Sequence, residues 1–182
     1  MFMRHLAAKR APRHWLVLAC FVLILAAGCS KPPPEPVRLQ SFSLDSPDSI
    51  VDTNLVRVEK DPACEGGACL RVETSGPSKV RLFALDNLNV EDALLLFQAR
   101  VRSQGLTGTA YIEMWCIFKG RGQYFSRALD TAVTGDTDWT LQTAPFRLEE
   151  GQNPDQVLLN LVIEGPGTVW IDDAALYRAP LP

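Results

Sequence analysis

The sequence predicts an all-β domain, an antiparallel two-sheet jelly-roll sandwich. Three observations predict it. Apolar residues alternate with period two in segment after segment, the segments are short and evenly spaced, and glycine or proline punctuates the gaps. Helical periodicity is scarce, and residues 88–92 are the one candidate for a helical turn.

Taken in order, the expected strands are 38–44, 55–60, 69–74, 79–85, 93–103, 109–119, 123–128, 139–148, 156–164 and 168–178. Ser75-Gly76-Pro77 separates the third from the fourth, and Gln104-Gly105 separates the fifth from the sixth. Lys119-Gly120-Arg121-Gly122 makes the next hairpin. Gly135-Asp136 and Gly165-Pro166-Gly167 introduce the later strands. Three strands are long enough to assign faces. In 93–103, Leu95, Phe97, Ala99 and Val101 oppose Gln98, Arg100 and Arg102. In 109–119, Ile112, Met114, Cys116 and Phe118 oppose Tyr111, Glu113, Trp115 and Ile117. In 156–164, Val157, Leu159, Leu161 and Ile163 oppose Leu158, Asn160, Val162 and Glu164. Each strand therefore has a dry face and a mixed face, and stacked dry faces make the core of a sandwich.

The N-terminal end reads differently. Arg4, Lys9, Arg10 and Arg13 precede an apolar run from Trp15 to Ala27, which is a charged region followed by a hydrophobic region of a secretory signal. A spanning helix needs about 20 apolar residues, and this run is shorter. It ends in Leu25-Ala26-Ala27-Gly28-Cys29, which resembles the lipobox of bacterial lipoproteins, with Ala26 where a larger aliphatic is usual. Residues 1–28 are thus expected to be a lipoprotein signal peptide and Cys29 the lipidated residue. Acyl chains contribute about 0.8 kcal/mol per buried methylene, so several on one residue hold a protein at a membrane. Ser30 in place of aspartate resembles the outer-membrane sorting pattern of two-membrane bacteria. Four prolines in Ser30-Lys31-Pro32-Pro33-Pro34-Glu35-Pro36 favour an extended tether over residues 29–36, and residues 37–182 form the sandwich domain.

Composition removes several function classes. The chain holds 18 basic and 21 acidic residues, and four basic residues leave with the signal, so the remainder stands at 14 against 21, or −7. Nucleic acid is not expected as a partner, because binding it needs a basic patch. Both histidines, His5 and His14, lie in the signal. The remaining chain therefore lacks Ser-His-Asp and Cys-His nucleophile activation and histidine-ligated zinc. It is read as a non-enzyme. Cys20 and Cys29 belong to the leader and its lipid, which leaves Cys64, Cys69 and Cys116. The tight loop Cys64-Glu65-Gly66-Gly67-Ala68-Cys69 in an exported chain predicts a Cys64–Cys69 disulfide, and Cys116 on a hydrophobic strand predicts a small core residue.

Thr137-Asp138-Trp139-Thr140, the strand 156–164 and Gly165-Pro166-Gly167-Thr168-Val169-Trp170-Ile171-Asp172-Asp173-Ala174 resemble the closing strands of the galactose-binding-like β-sandwich, a fold that many non-catalytic carbohydrate-binding modules share. Residues 61–72 resemble the loop and strand those modules place after their opening strands. The fold also serves purely structural roles. The resemblance implies a structural calcium, held by one aspartate of Asp172 and Asp173 near the opening Leu44-Asp45 region. Calcium takes six to eight oxygens, more than these carboxylates supply, so the same aspartate equally suits a turn cap or a backbone hydrogen bond. No other cofactor is expected.

The mixed faces supply the candidate ligand surface: Gln98, Arg100, Arg102, Tyr111, Glu113, Trp115, Asn160 and Glu164. An aromatic ring offers a platform for the C–H face of a sugar, and planar polar groups offer paired hydrogen bonds to hydroxyls. Arginines suit an acidic sugar or another carboxylate. The expected function is non-catalytic binding of a glycan or related polar ligand at the envelope through one sheet face. The rivals are a scaffold lipoprotein that contacts another envelope protein, and a solvated face whose pairs, such as Arg100 with Glu113, only stabilise the sheet. Glu113 and Glu164 share a face, and a glycosidase needs two carboxyls roughly 5–9 Å apart. No further nucleophile or metal ligand supports that reading. Trp139 and Trp170 are read as packing residues, and Tyr124 and Phe125 as rim residues.

Overall fold

The computed structural model describes residues 35–182. The expected signal peptide, the expected lipidation site Cys29 and the first residues of the expected tether lie outside the described residues.

The described chain is almost entirely strand. In order these are β1 (Val37–Phe42), β2 (Val56–Lys60), β3 (Ala68–Thr74), β4 (Ser78–Asp86), β5 (Ala93–Phe118), β6 (Gly122–Arg127), β7 (Val133–Leu148), β8 (Gln156–Ile163) and β9 (Gly167–Ala179). Short 3-10 turns stand at Pro47–Ser49, Glu65–Gly67 and Leu129–Thr131. Residues 88–92 form no helical turn. Asn87, Asn89 and Asp92 instead take left-handed backbone angles (φ 51°, 53° and 46°), which carry the chain from β4 to β5.

The fold is an antiparallel two-sheet sandwich that curls through one strand. β5 is continuous where two strands were expected, and it belongs to both sheets. Its first half pairs with β9 (Leu94 with Ala179 through Gln104 with Thr168) and with β7 on its other side. On the far edge of β9 lie β1 and β3, with β2 beyond β3. Its second half pairs with β8 (Ala110 with Ile163 through Ile117 with Gln156) and with β6, and β4 flanks β8. The crossing lies at residues 105–108, beside the β8–β9 turn. Gly108 has φ 102°, and a Cβ on Gly165 would collide with the Thr107 carbonyl oxygen. The glycines that read as turn signals thus let one strand bend against another.

The dry faces meet as expected. Leu95, Phe97, Ala99 and Val101 from the first half of β5 pack in one core with Ile112, Met114 and Cys116 from the second half and with Val157, Leu159 and Leu161 from β8. Burying each large aliphatic side chain contributes roughly 1.5–3 kcal/mol. Cys116 is free and fully buried, and desolvation pushes its thiol up to about 12. Inward residues are odd-numbered before the crossing and even-numbered after it.

One polar side chain is fully enclosed in that core. Gln142 of β7 receives the Ile112 N–H on its Oε1 (2.9 Å), and its Nε2 donates to the Ala110 carbonyl (3.2 Å) and the Thr131 carbonyl (2.9 Å). β6 pairs with β5 only from Glu113 onward, so this side chain supplies the hydrogen bonds that a neighbouring strand otherwise makes.

The expected Cys64–Cys69 disulfide is present and packs with Trp170 and Trp139. Both tryptophans are packing residues, as expected.

Candidate functional site

The eight candidate residues divide between two surfaces. Tyr111, Glu113, Trp115, Asn160 and Glu164 gather on the outer face of the β4–β8–β5–β6 sheet. Gln98, Arg100 and Arg102 stand on the outer face of the other sheet, because the first half of β5 pairs with β9 and β7. The expectation of one shared face is therefore corrected. Residues on the two halves of β5 look away from a common core in opposite directions, and Arg100 cannot pair with Glu113.

Strand register arranges the first surface in transverse rows. Arg81, Asn160, Glu113 and Arg127 lie opposite one another across β4, β8, β5 and β6. The row on one side is Ala84, Leu158, Trp115 and Phe125, and the row on the other is Lys79, Val162 and Tyr111. A charged row thus runs beside an aromatic one.

Glu113 organises the charged row. It has no solvent exposure. Its Oε1 accepts from the Lys79 ammonium (2.8 Å), the Trp115 indole N–H (2.6 Å) and the Asn160 amide (3.2 Å), while Oε2 accepts from Arg127 Nε (2.7 Å). Burial pushes the Glu113 carboxyl up, but the bonds from Lys79, Trp115 and Arg127 outweigh it and hold the group below the usual carboxylate range. The carboxylate therefore stays charged, and its oxygens are taken by protein donors. Trp115 is half-buried: its ring packs against Phe125 (4.8 Å between centroids) and the Lys79 ammonium lies 5.6 Å from its centroid. Phe125 is 49% exposed. Arg127 stacks over it at 4.4 Å.

One group on this face is left without a partner, and one carboxylate reaches solvent at its margin. Asn160 is buried, and its Oδ1 meets no hydrogen-bond donor of the described protein. Beside it is a cavity of about 180 Å³, lined by Lys79, Arg81, Trp115, Gln123, Leu158 and Asn160. At the far margin the exposed Glu164 accepts from Thr109 (2.7 Å) and from the Tyr111 hydroxyl (3.0 Å), and these bonds hold its carboxyl below the usual range. Burial, and secondly the bond to Glu164, push the Tyr111 phenol up.

Lys79, Arg81, Gln123 and Arg127 escaped the sequence reading, while Phe125, expected at a rim, stands in the aromatic row beside Trp115. The signal was present: Lys79-Val80-Arg81-Leu82 alternates charge with apolar residues, and Gln123, Phe125 and Arg127 alternate along β6. What alternation lacks is the identity of the neighbouring strand.

The second surface is largely paired within the protein, although the buried Trp139 indole N–H meets no acceptor among the described residues. Gln98 donates to Thr143 (3.2 Å), and Arg100 stands opposite Asp172 with its guanidinium 5.4 Å from the Trp139 ring. Arg102 lies between Trp139 (5.2 Å) and Trp170 (4.3 Å) and pairs with Asp61 (3.4 Å). This stack holds the disulfide loop to the sheet.

The calcium expectation falls beside that loop. Asp172 is buried, and its two oxygens accept the backbone N–H groups of Glu65 (2.6 Å) and Asp173 (2.8 Å). Desolvation pushes its carboxyl up despite those bonds. Asp45 approaches the same loop at Gly66, whereas Asp173 points to solvent. Each Asp172 oxygen already accepts one amide N–H, and Asp172 with Asp45 supplies fewer oxygens than the six to eight calcium takes. Among the described residues no group of three or more His, Cys, Asp or Glu side chains is placed to hold a metal. Asp172 has the other anticipated role, a backbone hydrogen bond.

No family model matches the chain, and no curated protein matches it in sequence. Solved structures do match its fold. A xylan-binding domain of carbohydrate-binding-module family 22 superposes with a TM-score of 0.58 over 82% of this chain and 99% of its own, at 14% identity. The family 22 xylan-binding domain of Paenibacillus barcinonensis Xyn10C gives 0.54 over 82% and 100%, also at 14%. The family 22 and glycoside hydrolase modules of Clostridium thermocellum xylanase 10B, complexed with xylohexaose, give 0.59 at 9% identity. That match covers 79% of this chain but only 29% of the other. What these structures share with this chain is the antiparallel β-sandwich fold.

Proposed function

We propose that this domain is a non-catalytic glycan-binding module, held at a bacterial cell envelope by a lipid on Cys29, and that it binds through the outer face of the β4–β8–β5–β6 sheet. The observation that carries the reading is the Glu113 row beside Trp115 and Phe125. Fixed donors and an exposed ring lie side by side there, which matches the hydroxyl groups and C–H faces of a sugar. The solved xylan-binding domains of the same fold support it. Catalysis is disfavoured because both oxygens of Glu113 are already engaged by Lys79, Trp115, Asn160 and Arg127. The scaffold reading loses ground on this face, since a protein contact favours a contiguous apolar patch over a charged row.

Phe125→Ala tests the site. Phe125 is half-exposed, so the variant should keep its melting temperature within a few degrees and lose about tenfold in affinity for retained glycans, roughly 1.4 kcal/mol. Affinity electrophoresis against a panel of polysaccharides measures this, and unchanged retention would remove the site from this face. For the anchor, Cys29→Ser should move the protein from the membrane fraction to the soluble one; persistence in the membrane fraction would sink the lipidation proposal.

A further inference from the structure

We infer that the glycan bound on this face is a polyanion, a polysaccharide whose sugars carry carboxylates; the inference rests on the glycan reading above. The charges of the Glu113 row are separated by depth, and the exposed carboxylate of this face, Glu164, stands at its margin on Thr109 and Tyr111. Glu113, the one carboxylate of its row, is wholly buried, while the cations around it reach solvent: side-chain exposure is 45% for Lys79 and 35% for Arg127. Arg81 is exposed and takes part in no ion pair among the described residues. The cavity beside Asn160 is lined by two cations, Lys79 and Arg81, and by no acid.

The carboxylates nearby are committed elsewhere. Asp52 accepts the Arg81 backbone N–H (2.8 Å), Asp86 accepts from Gln156 (2.8 Å), and Glu164 is held by Thr109 and Tyr111. A ligand approaching the row therefore meets ammonium and guanidinium groups, although the domain as a whole is acidic. Long-range attraction does not explain such binding, since salt screens charges beyond about 8 Å in physiological solution. The recognition must be local, and a guanidinium fork matches a carboxylate locally.

Spacing argues for a polymer over a single acid. Arg81 and Arg127 stand at opposite ends of one row, three inter-strand steps apart, or about 14 Å. A chain lying along the row meets Arg81 at one end, the Lys79 ammonium beside Glu113 in the middle and Arg127 at the other end. Between them the buried Asn160 Oδ1 lacks a donor among the described residues, beside the cavity that Lys79 and Arg81 line.

The test uses the full-length protein in detergent and three probes in affinity electrophoresis: polygalacturonate, the same polymer with its carboxyls reduced to alcohols, and neutral xylan. Polygalacturonate should be retained, at least about tenfold more weakly after carboxyl reduction, and retention should fall as NaCl rises from about 0.05 to 0.5 M. Arg81→Gln should reproduce the loss without lowering the melting temperature. Equal retention of the three probes, or of xylan alone, overturns the polyanion inference and leaves the glycan reading standing. If none of the three is retained, the polyanion inference falls, and a neutral-glycan panel then decides the broader reading separately.

Discussion

Replacing Lys79 and Arg127 together by alanine should destabilise the domain by about 3 kcal/mol at neutral pH, with the loss shrinking toward acid pH. Both substitutions leave the core untouched. They strip the two cations from a carboxylate with no solvent exposure and leave it only the Trp115 indole and the Asn160 amide. Removing one partner of a buried pair costs about 3–5 kcal/mol, and the low end applies because both cations are partly in water. The pH dependence follows from the direction of the shift. In the native protein the Glu113 carboxyl lies below its ordinary value of 4.5, so its stabilisation is present above that value and is lost as pH falls through the lower folded value. In the variant burial acts with little opposition and the carboxyl moves up, so stability is lost as pH rises through it. Asp172, pushed up by burial in both proteins, cancels from the comparison. Urea unfolding at about pH 4 and pH 7.5 measures the difference. An identical loss at the two pH values would mean that Glu113 is not the group left exposed to the penalty.

Gln142→Leu should cost about as much for a different reason. Leucine fills similar space but leaves the Ile112 N–H and the Ala110 carbonyl without this partner inside the core, and the Thr131 carbonyl without it at the edge. An unsatisfied buried group costs about 1–3 kcal/mol, and the two in the core total about 3 kcal/mol. For a domain of this size that lowers the melting temperature by roughly 10 °C. Amide hydrogen exchange at Ile112 is the local readout. Retained protection at Ile112 in the variant would show that another group already satisfies it.

The fold was largely legible in the sequence because its cues are local. Period-two alternation placed β3, β4, β8 and β9 within a residue or so of their observed ends, and the tight glycine loop between Cys64 and Cys69 marked the disulfide. β7 was cut short because its opening residues, Val133 to Asp138, run through Gly135-Asp136, which reads as a turn and is built into the strand as an irregularity. The helical turn at residues 88–92 failed since left-handed asparagine and aspartate do the turning there. The candidate site was legible only in part. Tyr111, Glu113, Trp115, Asn160 and Glu164 lie on one face, but the Lys79 and Arg127 that complete the Glu113 cluster come from strands whose neighbours no local pattern names.

By itself the sequence determined which side of its own strand each residue occupies, since a pleated backbone throws successive side chains to opposite sides wherever it runs. Only the tertiary structure decided which strands share a sheet. β5 bends at residues 105–108 and passes from one sheet to the other, so Arg100 and Arg102 end opposite Asp172 and Trp170 respectively, while Glu113 ends opposite Asn160 and Arg127. Pairing of that kind joins residues far apart in the chain, and it is set by how the dry faces close on a common core.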